Sequence, residues 1–100
     1  MDRKELEVFS DESNYGIVRM PGRRFPGCVV QGDSLSILLS CAERAHALAC
    51  ATSNSDLIDE IEELKESLED RLQHYEHVLK THGMDLPYFR RPAVNRPGDE

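Results

Sequence analysis

The chain has 100 residues, of which 39% are hydrophobic and 31% are charged, and its formal net charge is −7. This length permits one domain with a single core, and the composition is typical of a globular protein rather than a disordered one. The negative charge argues against a nucleic-acid backbone as the main partner, and the absence of a run of about 18 apolar residues predicts no membrane span.

Three strands are predicted in the first third of the chain. Residues 4–10 alternate between polar and apolar, with Leu6 and Val8 on one side, which indicates a half-buried strand. Residues 15–20 form the second strand after a polar turn, and residues 28–31 form the third after a loop rich in Pro and Gly. The short connections favour an antiparallel meander.

The first helix is predicted over about residues 34–51, with Asp33 or Ser34 as its N-cap. It carries two apolar stripes. One stripe consists of Leu35, Leu38, Leu39, Ala42, Ala45, His46 and Ala49, and the other of Ile37, Cys41 and Leu48. Because a helix that is apolar on two sides is buried on two sides, we expect this helix to lie between the sheet and the second helix.

The second helix is predicted over about residues 56–82, with Ser55 or Asp56 as its N-cap and Gly83 in the left-handed stop position. Its apolar positions recur after eleven residues, which predicts a nearly straight seam. They are Leu57, Ile61, Leu64, Leu68, Leu72, Tyr75 and Leu79. This helix exceeds the first by roughly 13 Å, and we expect the C-terminal segment or a second copy of the chain to cover the excess.

The predicted fold class is therefore α+β: a three-stranded antiparallel sheet covered by two helices, the second of them long. We expect one domain over residues 1–91 and a flexible C-terminal tail over residues 92–100. The cysteines Cys28, Cys41 and Cys50 form no CxxC pair. Their odd number predicts reduced thiols, buried as small apolar residues, in a cytoplasmic protein without a signal peptide.

Residues 32–36 spell Gly-Asp-Ser-Leu-Ser, and this block resembles the nucleophile block of the GDSL esterases and lipases. The resemblance implies a serine nucleophile at Ser34, but the Asp-x-x-His block that supplies the base in that family has no match here. The nearest approach, His46, lies roughly 18 Å along the same helix, which is too far for a hydrogen bond. We interpret Ser34 as a helix cap and predict no catalytic residue, with a small serine hydrolase as the alternative.

Two histidines and an aspartate on the second helix form a candidate metal-binding site. Asp70, His74 and His77 share a face of the second helix at a spacing that can chelate a transition metal. The face is solvated and offers at most three ligands, so we predict exposed polar residues, no metal and no cofactor. We expect His46, on the core stripe of the first helix, to be a buried neutral imidazole bonded to a backbone carbonyl.

Two charged features are candidates for partner binding. Eight acids lie between positions 56 and 70, relieved only by Lys65, and form either a solvated face or a docking ridge for a basic partner. The ridge residues are Glu62, Glu63, Glu66 and Asp70. A second group combines arginines with aromatic residues, which is typical of interface hot spots and also suits a single-stranded nucleic acid, although the net acidity disfavours the latter. It consists of Arg23, Arg24, Phe25, Tyr88, Phe89 and Arg90.

The sequence thus predicts a small non-catalytic binding protein whose partner is another protein or a second copy of itself, with a homodimer formed through the second helix. One specific version is an immunity or antitoxin-like protein whose acidic helix occupies the basic active site of a toxin. Five motifs in the first half also resemble a group of short uncharacterised bacterial proteins, which implies a bacterial cytosolic source but no activity. They are EVFS at 7–10, NY at 14–15, VRMPGR at 18–23, FPG at 25–27 and QGDSL at 31–35.

Overall fold

Three short strands precede two helices along the chain. The computed structural model describes residues 1–89, so the predicted tail at 92–100 and the predicted contact residue Arg90 lie outside the described residues. The elements are β1 Glu7–Ser10, β2 Ile17–Arg19, β3 Gly27–Cys28, α1 Gly32–Cys50 and α2 Ser55–Thr81. The predicted fold class, a three-stranded antiparallel sheet with two helices of which the second is long, is confirmed.

The sheet is a meander with strand order β1-β2-β3, and both pairings are antiparallel. All three strands are shorter than predicted, and the pairing of β1 with β2 has a bulge between Val8 and Ser10. The turn into β3 uses Gly22 at φ 80°, and the Arg23 N–H donates to the Met20 carbonyl at 3.1 Å. Pro followed by Gly at the centre of a turn produces this geometry, since only the second residue needs a positive φ.

The helices do not cover the sheet. No Cα of a strand lies within 8 Å of a Cα of either helix, and Val8, for example, keeps 59% of its surface exposed. The expected position of α1 between the sheet and α2 is therefore wrong: Cys41 is exposed, and Ile37 and Leu48 are 63% and 73% exposed. The expected burial of the cysteines is also wrong, since all three are exposed. The second stripe of α1 is apolar and would be expected to be buried, but no element of the described chain packs against it.

The helices pack against each other as an antiparallel hairpin. On each helix, one row of buried and half-buried positions advances in alternating steps of three and four residues, which is the heptad spacing of left-handed helix pairs. On α1 these positions are Gly32, Leu35, Leu39, Ala42, His46 and Ala49, and on α2 they are Ile58, Ile61, Lys65, Leu68, Leu72, Tyr75 and Leu79. We call these two rows the seam.

The seam replaces the predicted eleven-residue repeat of α2, which is wrong in its first half. Leu57 and Leu64 belong to the predicted repeat but are 40% and 55% exposed. Lys65 takes the place of Leu64 in the seam and is only 7% exposed. A hydropathy pattern counts lysine as a surface residue, so the prediction places Leu64 in the buried row instead of Lys65.

The helix ends differ from the predicted caps by one or two residues. The N-cap of α1 is Gln31, whose side chain forms no capping bond, so neither Asp33 nor Ser34 caps this helix. The N-cap of α2 is Asn54, which accepts from the Leu57 N–H at 3.1 Å in place of the predicted Ser55 or Asp56.

The predicted stop of α2 at Gly83 is confirmed, with a φ of 68°. The Met84 N–H donates to the Leu79 carbonyl at 2.9 Å and the Gly83 N–H to the Lys80 carbonyl at 3.1 Å. This is the bonding pattern of a Schellman motif, which turns the following segment back along the helix.

Candidate protein-binding surfaces

The GDSLS block forms the start of α1. Gly32 is the first helical residue and is buried beneath the ring of Tyr75. The Ser34 N–H donates to the Asp33 carboxylate at 2.8 Å, and no hydrogen bond within residues 1–89 joins the Ser34 hydroxyl to an imidazole. The glycine of this block therefore serves helix packing, because only a residue without a side chain leaves room for the Tyr75 ring.

The histidines occupy two different environments, one in the seam and the other on the exposed surface of α2. His46 is half-buried in the seam, and its Nε2 lies 3.9 Å from the Cys50 Sγ, so the expected carbonyl partner is wrong. His74, His77 and Asp70 are exposed on α2. Over the described part of the chain, no group of three or more His, Cys, Asp or Glu side chains is arranged to hold a metal ion.

The acidic ridge consists of Glu62, Glu63, Glu66 and Asp70 on α2. Glu62 is half-buried beside the seam, whereas the other three are exposed and point away from α1. The one ion pair formed within residues 1–89 joins Arg19 to Glu7 in the sheet, at 2.5 Å. None of the four ridge carboxylates therefore forms an ion pair with a cation of the described chain.

The arginines and aromatic residues of the predicted hot spot fall into two separate places. Arg23, Arg24 and Phe25 lie on the exposed loop between β2 and β3, where the Arg24 guanidinium carbon stands 5.2 Å from the centre of the Phe25 ring. Tyr88 instead lies against α2 and donates a hydrogen bond to the Glu76 carboxylate at 2.7 Å. Phe89 is 99% exposed.

A groove of about 550 Å³ lies between the last turns of α2 and the segment that returns from Gly83. Glu76, His77 and Lys80 line one side of it, and Met84 and Leu86 line the other. The groove is the space beside the returning segment, and the bond between Tyr88 and Glu76 fixes that segment in place.

An exposed aliphatic face runs along one side of the hairpin. Positions one residue before a seam position, such as Leu38 and Ala45 on α1 and Leu57 and Leu64 on α2, flank the seam. In an antiparallel pair the flanks that precede the seam on the two helices lie on the same side of the pair. The second helix runs in the opposite direction and faces the first, and these two reversals cancel. Cys41 and Leu48 continue the same side of α1.

We define the aliphatic face as Leu38, Cys41, Ala45, Leu48, Leu57 and Leu64. Its leucines are exposed by 40% to 73% of their surface. The predicted second stripe of α1 contains two of these six residues, Cys41 and Leu48, but the prediction places that stripe against the sheet. The signal that could have located the rest is the seven-residue spacing of Leu57 and Leu64 beside the seam, to which Val78 returns after Arg71.

Lys65 is the one charged side chain that is buried in the seam among the described residues. It lies ten positions before Tyr75, and Ala42 lies ten positions after Gly32, so the contact between Gly32 and Tyr75 places Lys65 opposite Ala42. The small alanine leaves room for the lysine stem. No side-chain nitrogen or oxygen in the described chain is both buried and without a partner, so the ammonium group reaches the solvent.

Replacing Lys65 by leucine is expected to raise the free energy of unfolding by about 1 kcal/mol, because a lysine in a heptad core reduces stability. The gain from apolar burial exceeds the lost attraction to neighbouring carboxylates, which is about 0.5 kcal/mol or less per pair. Urea denaturation measures the difference, and Lys80→Leu, at an exposed position of the same helix, is the matched control. Equal midpoints for Lys65→Leu and the unmodified chain would show that the lysine stem already packs as well as leucine.

Comparison with known proteins gives one match. The model of a family of unknown function (DUF6959) matches residues 1–88. This is consistent with the predicted resemblance to an uncharacterised family, and the match covers more of the chain than the five motifs do. No curated protein and no solved structure matches significantly. Over the described residues, neither helix has the length and apolar character needed to cross a membrane.

Proposed function

The chain belongs to DUF6959, a family of unknown function, and we propose that it is a small non-catalytic binding protein that acts through protein–protein contacts. The observation that carries the proposal is the aliphatic face. Leu48 and Leu64 are 73% and 55% exposed on the same side of the helical hairpin, and Leu38 and Leu57 are exposed on that side as well. Contiguous exposed apolar patches of this kind are typical of interaction sites.

The GDSLS block supports the non-catalytic part of the proposal. A serine nucleophile needs a base within hydrogen-bond reach and a third group that orients the base. Ser34 lies in the first turn of α1, and its nearest bonded carboxylate, Asp33, is its own neighbour in sequence and accepts from its backbone N–H. Gly32, which precedes Asp33 and Ser34, packs against the ring of Tyr75.

The acidic ridge favours a more specific version of the same role. Three exposed carboxylates, Glu63, Glu66 and Asp70, lie on one helix without a neutralising cation of the described chain. Such a surface accelerates the encounter with a basic partner and selects against acidic ones. An immunity or antitoxin-like role, in which this ridge covers the basic active site of a toxin in the cytoplasm, is the version of our proposal that uses the ridge.

Capture of partners from a lysate of the native host tests the proposal. The tagged chain is compared with Leu48→Glu on the aliphatic face, with Glu62, Glu63 and Glu66 changed together to Lys on the ridge, and with Met20→Glu as control. Met20 is 54% exposed but lies at the end of β2, so its substitution adds the same charge away from both surfaces. Circular dichroism shows that each variant is folded.

We expect Leu48→Glu to reduce the captured partner at least tenfold, because a carboxylate would have to be buried in an apolar contact. We expect Met20→Glu to leave capture unchanged. A partner that all variants retain equally would contradict the proposal. A partner that is lost only with the triple ridge variant would support the toxin-directed version and remove the aliphatic face from the binding role.

A further inference from the structure

We propose that the occupant of the aliphatic face is a second copy of this chain, so that two helical hairpins form a four-helix bundle. The inference rests on the proposed function, since it names the partner of the same face. It differs from a homodimer through α2 alone, because α1 contributes Leu38, Cys41, Ala45 and Leu48 to the contact.

The hairpin has an incomplete core. No large side chain among residues 1–89 is completely buried, and only Leu35, Ala42, Ala49 and Leu72 are buried apolar residues in the described chain. A small domain with so few buried side chains gains stability from association. The aliphatic face is the surface at which a second layer of helices would complete this core.

The residue pattern is that of a bundle with two helical layers. An isolated pair of helices needs apolar residues only at the two seam positions of each heptad, whereas helices in a bundle core carry a third apolar position beside them. That third position holds Leu38 and Ala45 on α1, and Leu57, Leu64, Arg71 and Val78 on α2, so Arg71 is the one charged residue in this row. The opposite flank of α2 holds Glu62, Glu69 and Glu76, so only one side of the hairpin has this pattern.

The charge distribution permits a contact between two identical acidic chains. The net charge of −7 makes two copies repel each other unless their contact is locally neutral. The helix α2 carries nine acidic residues, yet none of the six residues of the aliphatic face is charged, and the one charged residue in the same row of α2, Arg71, is a cation. With these faces together, the ridge residues Glu63, Glu66 and Asp70 point outward on both copies.

The aliphatic face forms the apolar centre of a larger contact. Its residues on α1 run from Leu38 to Leu48, a distance of about 15 Å, and two adjacent helices of about 10 Å each give a footprint of roughly 300 Å². A standard interface buries approximately 800 Å² per partner, and polar side chains around the face would supply the remainder as its rim. An apolar face needs no opposite charge to match a copy of itself, which suits contact about a two-fold axis.

Light scattering coupled to gel filtration tests the proposal with the full chain at about 100 μM. We expect a mass of twice 11.4 kDa for the unmodified chain and for Met20→Glu, and a mass of 11.4 kDa for Leu48→Glu with unchanged helical circular dichroism. A monomer at this concentration overturns the proposal. So does a dimer that Met20→Glu dissociates and Leu48→Glu leaves intact, since the sheet would then form the interface.

Cysteine crosslinking gives a reading that does not depend on a charged substitution. Cys41 lies on the aliphatic face at the centre of α1, whereas Cys28 lies in β3, and both are exposed. Two chains that keep only one of these thiols, with the other cysteines changed to Ser, are treated with a flexible bis-maleimide at low micromolar concentration. We expect a covalent dimer with Cys41 alone at several times the yield obtained with Cys28 alone, and equal or reversed yields would overturn the proposal.

The two proposals fail in distinguishable ways. If the chain is monomeric but Leu48→Glu abolishes capture of a different protein, the second copy is the wrong occupant and the binding role of the face stands. If Leu48→Glu changes neither the mass nor any capture, the aliphatic face has no binding role and both proposals fail.

Discussion

Replacing Leu72 by alanine is expected to lower the free energy of unfolding by about 2–4 kcal/mol, the largest loss that we expect from a single substitution in this chain. Leu72 is 8% exposed in the seam and lies at the level of Leu35, which is buried to the same extent. Removing its side chain leaves a cavity between two helices that have few other buried contacts. Urea denaturation followed by circular dichroism at 222 nm measures the loss.

Leu64→Ala is the matched control for Leu72→Ala, since it makes the same change on the same helix at a side chain that is 55% exposed. In dilute solution, where intermolecular contacts do not contribute, we expect it to cost about 0.5 kcal/mol or less. A straight eleven-residue seam would require both leucines to cost similar amounts. Equal losses would therefore contradict the heptad seam.

Replacing Gly32 by alanine is expected to lower the free energy of unfolding by about 1–3 kcal/mol, as is typical of an overpacked core. A Cβ atom at this position would lie 2.2 Å from the Tyr75 Cζ and 2.4 Å from its hydroxyl oxygen. These atoms form the far end of the Tyr75 side chain, so the ring would swing out and lose its place in the seam. Thermal unfolding of the variant measures the loss.

Gly32→Ala in a Tyr75→Leu background tests this explanation, because the change in the free energy of unfolding should then no longer be a loss. Leucine lacks the distal ring atoms, so Gly32→Ala should then be neutral or stabilise by up to about 1 kcal/mol, because alanine restricts the unfolded chain more than glycine does. Gly27→Ala in β3 is the control, since a Cβ atom there would meet no atom within 4 Å. Destabilisation that persists without the tyrosine ring would show that Gly32 is needed for the backbone rather than for this contact.

Sequence periodicity located the helices because their apolar residues recur at helical spacing over many turns. Leu72, Tyr75 and Leu79 were assigned correctly to the buried row of α2. Lys65 was missed because its aliphatic stem carries a charge that a hydropathy pattern treats as a surface feature. With Leu64 in the place of Lys65, the predicted buried face of α2 is rotated about the helix axis. Leu57 and Leu64 are then predicted to be buried, so the exposed flank that they share is not recognised.

The candidate site depended on information that periodicity does not contain. The stripe of Ile37, Cys41 and Leu48 was recognised as apolar, but a pattern shows which residues favour burial and not which element buries them. The sheet was the nearest candidate in sequence, and it does not reach α1. The role of Gly32 was also hidden, since its contact with Tyr75 joins residues 43 positions apart in the chain.

Every pairing of elements in the described chain joins neighbours in sequence: β1 with β2, β2 with β3, and α1 with α2. Each pairing can therefore begin at the short connection between its two elements and extend from there, and the entropy lost in closing a loop grows only slowly with its length. A topology of such low contact order places the chain among rapidly folding proteins. Its helical hairpin can therefore reach its final register while the chain is still being synthesised.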